Sequence, residues 1–169
     1  MNYNNDEEFK EIVKEILDSD DFKRLSGITH HGTTRAKHSL RVSYTAYKMA
    51  KAKGLDYVSA ARGGLLHDFF FTNKYSSKKA ANDMLHKHPQ IALANAEADF
   101  DLNDIERDAI VHHMYPVTSV MPQSKEAKIV SLADKKVAIK EFAYSKKDRF
   151  HTYIGVLMIL LFRTLNKIV

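Results

Sequence analysis

Three observations predict an all-α helical bundle of about six to eight helices, and the first is periodicity. Apolar residues recur at three- and four-residue spacing almost throughout. Only three prolines and six glycines interrupt 169 residues. Polar capping residues stand where the helical stretches begin. A chain of this length buries a sizeable core as one domain. Residues 1–169 are therefore expected to form a single unit, without internal repeat, linker or low-complexity tract.

Phe9, Ile12, Val13, Ile16 and Leu17 mark a first helix, closed by Asp18-Ser19-Asp20-Asp21, with room for one more turn over 22–25. Thr29-His30-His31-Gly32-Thr33-Thr34 reads as a loop in which Thr33 or Thr34 caps the next helix. That helix carries Val42, Ala46, Met49 and Ala52 on one face, with His38 four residues before Val42, and Gly54 stops it. A helix over 56–68 has Val58, Ala61, Leu65 and Leu66 inward, which turns Asp68 inward as well. Phe69-Phe70-Phe71 leaves it for a loop. Pro89 suits a first helical position, which puts His88 at the N-cap of a helix ending near Ala98. Asn103 with Glu106 forms a capping box ahead of Ile105, Ala109 and Ile110, and that helix ends on His112-His113. Ser124 caps a further helix, with Val130, Ala133 and Val137 as its buried stripe and Asp134 inside it. An apolar helix over 147–166 is expected to pack across the bundle.

Composition narrows the chemistry. Cysteine is absent, which removes disulfides and thiolate metal ligands together and suits a reducing compartment. Residues 1–14 are polar and acidic with no signal-peptide core, and the apolar run 154–162 is too short to span a bilayer. A soluble, cytoplasmic protein with no membrane partner is the expectation. The net charge of +5 comes from lysines scattered among acidic residues, with no Arg-rich block and interleaved aromatics. It hints at anionic substrates, although a solvated surface explains the same lysines taken singly.

His38, the pair His67-Asp68, His88, the pair His112-His113 and Asp134 each lie on or beside an apolar helix face. Any one of them alone is better explained as a hydrogen-bonded core histidine or a salt-bridged carboxylate. Taken together they would need many separate solutions in a core, whereas one metal centre satisfies them all. Imidazole and carboxylate without thiolate suit Mn, Fe, Zn, Ni or Co. An Asp beside a His can bridge two ions and hold a shared water whose pKa falls far enough for attack at neutral pH.

In this order, His38, His67-Asp68, His88-Pro89, His112-His113 and Asp134 resemble the H…HD…H…H…D pattern of the HD-domain metal-dependent phosphohydrolases. The resemblance covers about residues 30–142, and His31-Gly32-Thr33-Thr34-Arg35 with His38-Ser39-Leu40-Arg41-Val42 is similar to small stand-alone bacterial members. It implies one metal held by His38, His67, Asp68 and Asp134. It implies a second held by bridging Asp68 with His88 and His113, and with His112 where the doublet is complete. His67 and Asp68 carry the catalytic role. Two divalent ions are the implied cofactors, iron or manganese first, with zinc, nickel, cobalt or magnesium as alternatives.

Family members that cleave cyclic di-GMP carry a Lys three residues after the HD pair and a Gly-Tyr-Pro segment after the His doublet. Here Phe71 stands in the first place, and His113-Met114-Tyr115-Pro116 only loosely echoes the second. Members that hydrolyse dinucleoside polyphosphates share the small size and the His-Pro and Ala-Asp-Lys contexts, which points to a nucleotide or similar small phosphate compound. A catalytically silent nucleotide-binding module is the alternative, and a nucleic-acid phosphodiesterase ranks below both. Arg35, Lys74, His31 and Lys135 are candidate substrate contacts, since Arg and Lys commonly hold phosphate oxygens. His86 rivals His88, which is preferred because an N-cap fixes its direction. Nothing in the sequence sets the oligomeric state.

Overall fold

The computed structural model describes residues 3–30, 33–72 and 76–145. The helix expected over 147–166, His31, Lys74 and the side chain of His30 lie outside the described residues. Seven α-helices make up the described chain: α1 (Glu7–Asp18), α2 (Asp20–Arg24), α3 (Arg35–Ala52), α4 (Tyr57–Leu66), α5 (Lys78–Asp99), α6 (Asp104–His112) and α7 (Lys125–Ser145). Between α2 and α3 the expected loop contains a minimal antiparallel ribbon, β1 (Thr29–His30) against β2 (Thr33–Thr34), with Thr29 opposite Thr34. The all-α class holds.

Caps define the elements. Asp6 accepts from the Phe9 amide to open α1, and Ser19 closes α1 and opens α2 by accepting from Phe22. Thr34 caps α3 through the Lys37 amide. At the other end of α3, Gly54 takes φ 65°, the Leu55 amide reaches Ala50 and the Gly54 amide reaches Lys51, a Schellman closure that only a left-handed residue completes. The capping box of Asn103 and Glu106 forms in full at α6. Ser124 accepts from Ala127 at the start of α7.

Helix α3 packs on α4 and α7, and α4 packs on α6 and α7. One core unites Phe9, Val13 and Ile16 of α1 with Tyr47, Leu65, Leu66, Phe69 and Ile110. A second is almost purely small: Val42, Ala46, Ala50, Ala60, Ala109, Ala127, Val130, Ala133 and Val137. Small residues let backbones approach closely. A Cβ on Gly64 would lie 3.1 Å from Ser43 Cα, and one on Gly63 would lie 2.9 Å from Ala109 Cβ. These glycines bring the end of α4, where His67 and Asp68 stand, against α3 and α6.

Three expectations need correction. Helix α5 starts at Lys78, capped by Ser77, and Pro89 lies inside it, so His88 is not an N-cap. The residues before it, such as Lys78, Lys79, Ala80, Ala81, Met84 and Leu85, are sound helix formers, and their preference outweighs the break that Pro89 favours. Val58 is exposed, because it lies on the first turn of α4 outside the packed seam. Helix α4 also ends at Leu66, so His67 and Asp68 stand just past its last turn.

Candidate metal centre

Three of the candidate histidines are aimed by helix carbonyls. His67 and His113 are the C-cap residues of α4 and α6, where the last carbonyls lack intrahelical partners. His67 Nδ1 donates to Gly64 O at 2.9 Å, and His113 Nδ1 donates to Ile110 O at 2.7 Å. His88 Nδ1 donates to Met84 O at 3.0 Å. A carbonyl only accepts, so these contacts place the proton on Nδ1 and leave Nε2 of each ring with its lone pair facing the interior. His38 is held differently: its Nδ1 meets Glu141 Oε2 at 2.8 Å, and Glu141 Oε1 accepts from Arg41 at 2.7 Å.

The Nε2 atoms converge in two pockets. In the first, His38 Nε2 lies 3.1 Å and His67 Nε2 3.7 Å from Asp134 Oδ1. In the second, His88 Nε2 lies 3.0 Å from His113 Nε2 and 3.2 Å from Asp68 Oδ1, with His113 Nε2 3.7 Å from that oxygen. Asp68 also presents Oδ2 at 3.9 Å from His67 Nε2. Ligands about 2.1 Å from one ion stand about 3.0 to 3.4 Å apart in octahedral or tetrahedral geometry. Both pockets have edges of that size. Of the described residues, His38, His67 and Asp134 form one group that could hold an ion, and His67, Asp68 and His113 form another.

The His88–His113 contact tests the fit. Two neutral rings with Nδ1 committed to carbonyls would point lone pairs at each other across 3.0 Å, a repulsion that either a proton on His88, which Asp68 favours, or a metal ion among these atoms relieves. Burial first, with the charges of His67 and His88, depresses the His113 pKa to about 3. Burial also lowers His88, but hydrogen bonding to Asp68 and the Asp68 charge raise it overall. His38 runs the other way: burial lowers it, yet Asp134 and Glu141 hold it up at about 10. Burial would raise Asp134, but its hydrogen bond to His38 and the His67 charge hold it well below the usual carboxylate range. The donor set fits divalent ions of the imidazole- and carboxylate-binding kind.

The remaining candidates fall outside the two pockets. His112 Nδ1 bonds Asp108 at 2.7 Å, and Asp108 also accepts from the Gln123 amide, the Ser124 amide and Ser124 Oγ. Neighbouring residues on a helix point about 100° apart, and in this structure the His112 ring turns to Asp108 while the His113 ring faces the second pocket. Arg35 is buried, donates to the carbonyls of Phe70 at 2.5 Å and Thr72 at 3.2 Å, and stacks on the Phe70 ring. That ring in turn lies 5.0 Å from the His88 ring. Lys135 is buried too, with Nζ on His113 O and Ser131 O, and burial lowers its pKa to about 8. Both cations are committed to carbonyls behind the centre. His86 is exposed, and His88 is the one that reaches the centre.

Glu141, Arg41, Ser131 and Asp108 were not singled out in the sequence. For Glu141 a signal existed: it stands seven residues after Asp134, two turns along the same face of α7.

The HD domain family model matches residues 35–139, which contain every residue of both pockets. The chain is similar to Ribonuclease Y of Thermoanaerobacter pseudethanolicus, 29% identical over 131 residues, or 78% of this chain and 23% of that protein. It is also similar to Ribonuclease Y of Thermus thermophilus, 33% identical over 93 residues, or 55% of this chain and 15% of that protein. The chain thus spans less than a quarter of the length of the curated relatives it matches. No solved structure matches it. No helix among the described residues is long and apolar enough to cross a membrane. With its histidine and aspartate pockets inside the matched span, the chain belongs to the HD domain family, a superfamily of metal-dependent phosphohydrolases.

Proposed function

We propose that the chain hydrolyses a phosphoester or phosphoanhydride bond in a nucleotide or similar small phosphate compound. Two divalent ions would be held, one by His38, His67 and Asp134 and the other by His88 and His113, with Asp68 between them. The observation that carries this reading is the position of Asp68, whose Oδ1 faces His88 and His113 while Oδ2 faces His67. Bound divalent ions supply Lewis acidity toward phosphoryl oxygens and lower the pKa of water toward neutrality. The chain's own residues do the positioning: three carbonyl-anchored imidazoles keep their lone pairs inward, and Asp68 and Asp134 offset the positive charge. Iron or manganese is the proposed metal, as the resemblance to the HD phosphohydrolases implies, and the thiolate-free donor set accommodates either. His113 rather than His112 is the proposed ligand of the α6 end.

A second reading, cleavage of an RNA phosphodiester, is favoured by one observation: the curated relatives carry the name Ribonuclease Y. Protein purified without chelator, assayed for metal and for product release from a panel of nucleotides beside a short oligoribonucleotide, separates the readings. Turnover of a small nucleotide by metal-loaded protein is expected. Cleavage confined to the oligoribonucleotide would replace the first reading with the second. Metal and nucleotide binding without turnover would make the chain a binding module.

A further inference from the structure

The carboxylate of Glu141 is not accounted for by the two pockets, and its surroundings are unlike those of a surface ion pair. Its side chain is 5% exposed, one oxygen lies 2.8 Å from His38 Nδ1 and the other 2.7 Å from Arg41. Arg41 is 42% exposed. An ion pair with so solvated a partner contributes little, and does not by itself offset burying a carboxylate. The buried partner is His38. His67, His88 and His113 each rest on a backbone carbonyl instead.

We infer that Glu141 is a positioning residue for the first pocket alone: it fixes the His38 proton on Nδ1, turns the Nε2 lone pair toward Asp134, and adds negative charge behind that ligand. A carboxylate behind a metal-binding imidazole makes it a better donor, and losing such a partner typically costs 10- to 100-fold in metal affinity. The second pocket, with carbonyls behind both of its imidazoles, has no such dependence. The inference rests on the dinuclear reading above for the identity of the pockets.

The test is Mn2+ uptake by the metal-stripped full chain, read as loss of the free-ion electron paramagnetic resonance signal. Wild type, Glu141→Gln, Glu141→Ala and Arg41→Ala are titrated, with circular dichroism to confirm folding; the near-isosteric Gln variant carries the test if Ala does not fold. One uptake step should weaken by about 10- to 100-fold in Glu141→Ala and by less in Glu141→Gln, the other staying as in wild type. The same loss should appear in a His88→Ala background, which keeps the first pocket. In a His38→Ala background, Glu141→Ala should add nothing, because its effect passes through the missing ring. Arg41→Ala should leave uptake unchanged. Unaltered affinity in both Glu141 variants, a loss that persists without His38, or an equal loss in Arg41→Ala would each overturn the inference and make Glu141 a staple between α3 and α7. A wild-type chain that takes up no Mn2+ would instead bring down the dinuclear reading itself.

Discussion

The two pockets share a wall but are built by opposite devices. In the first, His38 lies between two carboxylates, Asp134 and Glu141, which hold its pKa up at about 10. In the second, His113 rests on a carbonyl beside other imidazoles, and burial drives its pKa down to about 3. In the first pocket the two carboxylates keep a proton on His38, while burial keeps His67 low. In the second, burial keeps His113 low while Asp68 raises His88, and two ring nitrogens and a carboxylate oxygen turn toward one point. The difference teaches that a histidine becomes a ligand by what stands behind it: a carbonyl fixes its tautomer, and a carboxylate fixes its tautomer and adds charge.

The sharpest way to break the comparison is at the shared wall. Asp68→Asn keeps shape and one carbonyl oxygen but removes the charge facing both pockets. It is expected to lose at least one ion and to lower hydrolysis by more than about 100-fold, beyond the usual cost of losing an outer partner. Circular dichroism should show the helices intact. A folded variant with full metal content and activity would make Asp68 an ordinary buried carboxylate.

Metal removal comes next, because the proposed ligands come from α3, α5 and α7 and from the ends of α4 and α6 and would join them. At a hundredfold excess over Kd, one bound ion adds about 2.7 kcal/mol to stability. For a chain of this size that is roughly 5 to 10 °C in Tm per ion. Calorimetry before and after chelation checks it, and an unchanged Tm with metal loss confirmed would count against a buried site.

Smaller effects sharpen the second pocket. His113→Ala should remove an ion, whereas His112→Ala should leave metal content alone and cost about 1 kcal/mol by loosening the Asp108 network over 113–124. Equal metal loss in both variants would restore His112 as a ligand.

The smallest effect lies far from both pockets, at the junction of α1 with α3 and α4. Hydrogen bonds from Lys51, then Tyr47 and Tyr57, lower the Glu8 pKa from 4.5 to about 2. A depressed carboxylate stabilises the fold above its unfolded pKa and loses that contribution as pH falls through its folded value. The Tm difference between wild type and Glu8→Gln should therefore be constant above pH 4.5 and shrink toward pH 2. Being nearly half exposed, the Lys51–Glu8 pair should also respond to salt, unlike the buried pockets.

The histidines and aspartates of the two pockets were legible in the sequence because His and Asp are out of place on apolar helix faces, as at His38 beside Val42 and Asp134 between Ala133 and Val137. The caps at Thr34, Asn103 and Ser124 and the stop at Gly54 were legible because each rests on local backbone chemistry. What was not legible depended on distant packing. Pro89 reads as a helix start, yet the helix formers before it carry α5 back to Lys78. Arg35 and Lys135 read as phosphate contacts, since a cation bonded to buried carbonyls looks in sequence like one facing solvent. Glu141 follows Lys140 on a charged helix and reads as a solvated face until α3 is placed against it.

Elemental analysis of chain purified without chelator, across wild type, His38→Ala, His88→Ala and His113→Ala, tests the two-pocket account most directly. Two ions per chain are expected in wild type and one in each variant, with His38→Ala emptying a different pocket from the other two. One ion per chain in wild type, unaffected by His88→Ala and His113→Ala, would contradict it and leave a mononuclear centre on His38, His67, Asp68 and Asp134.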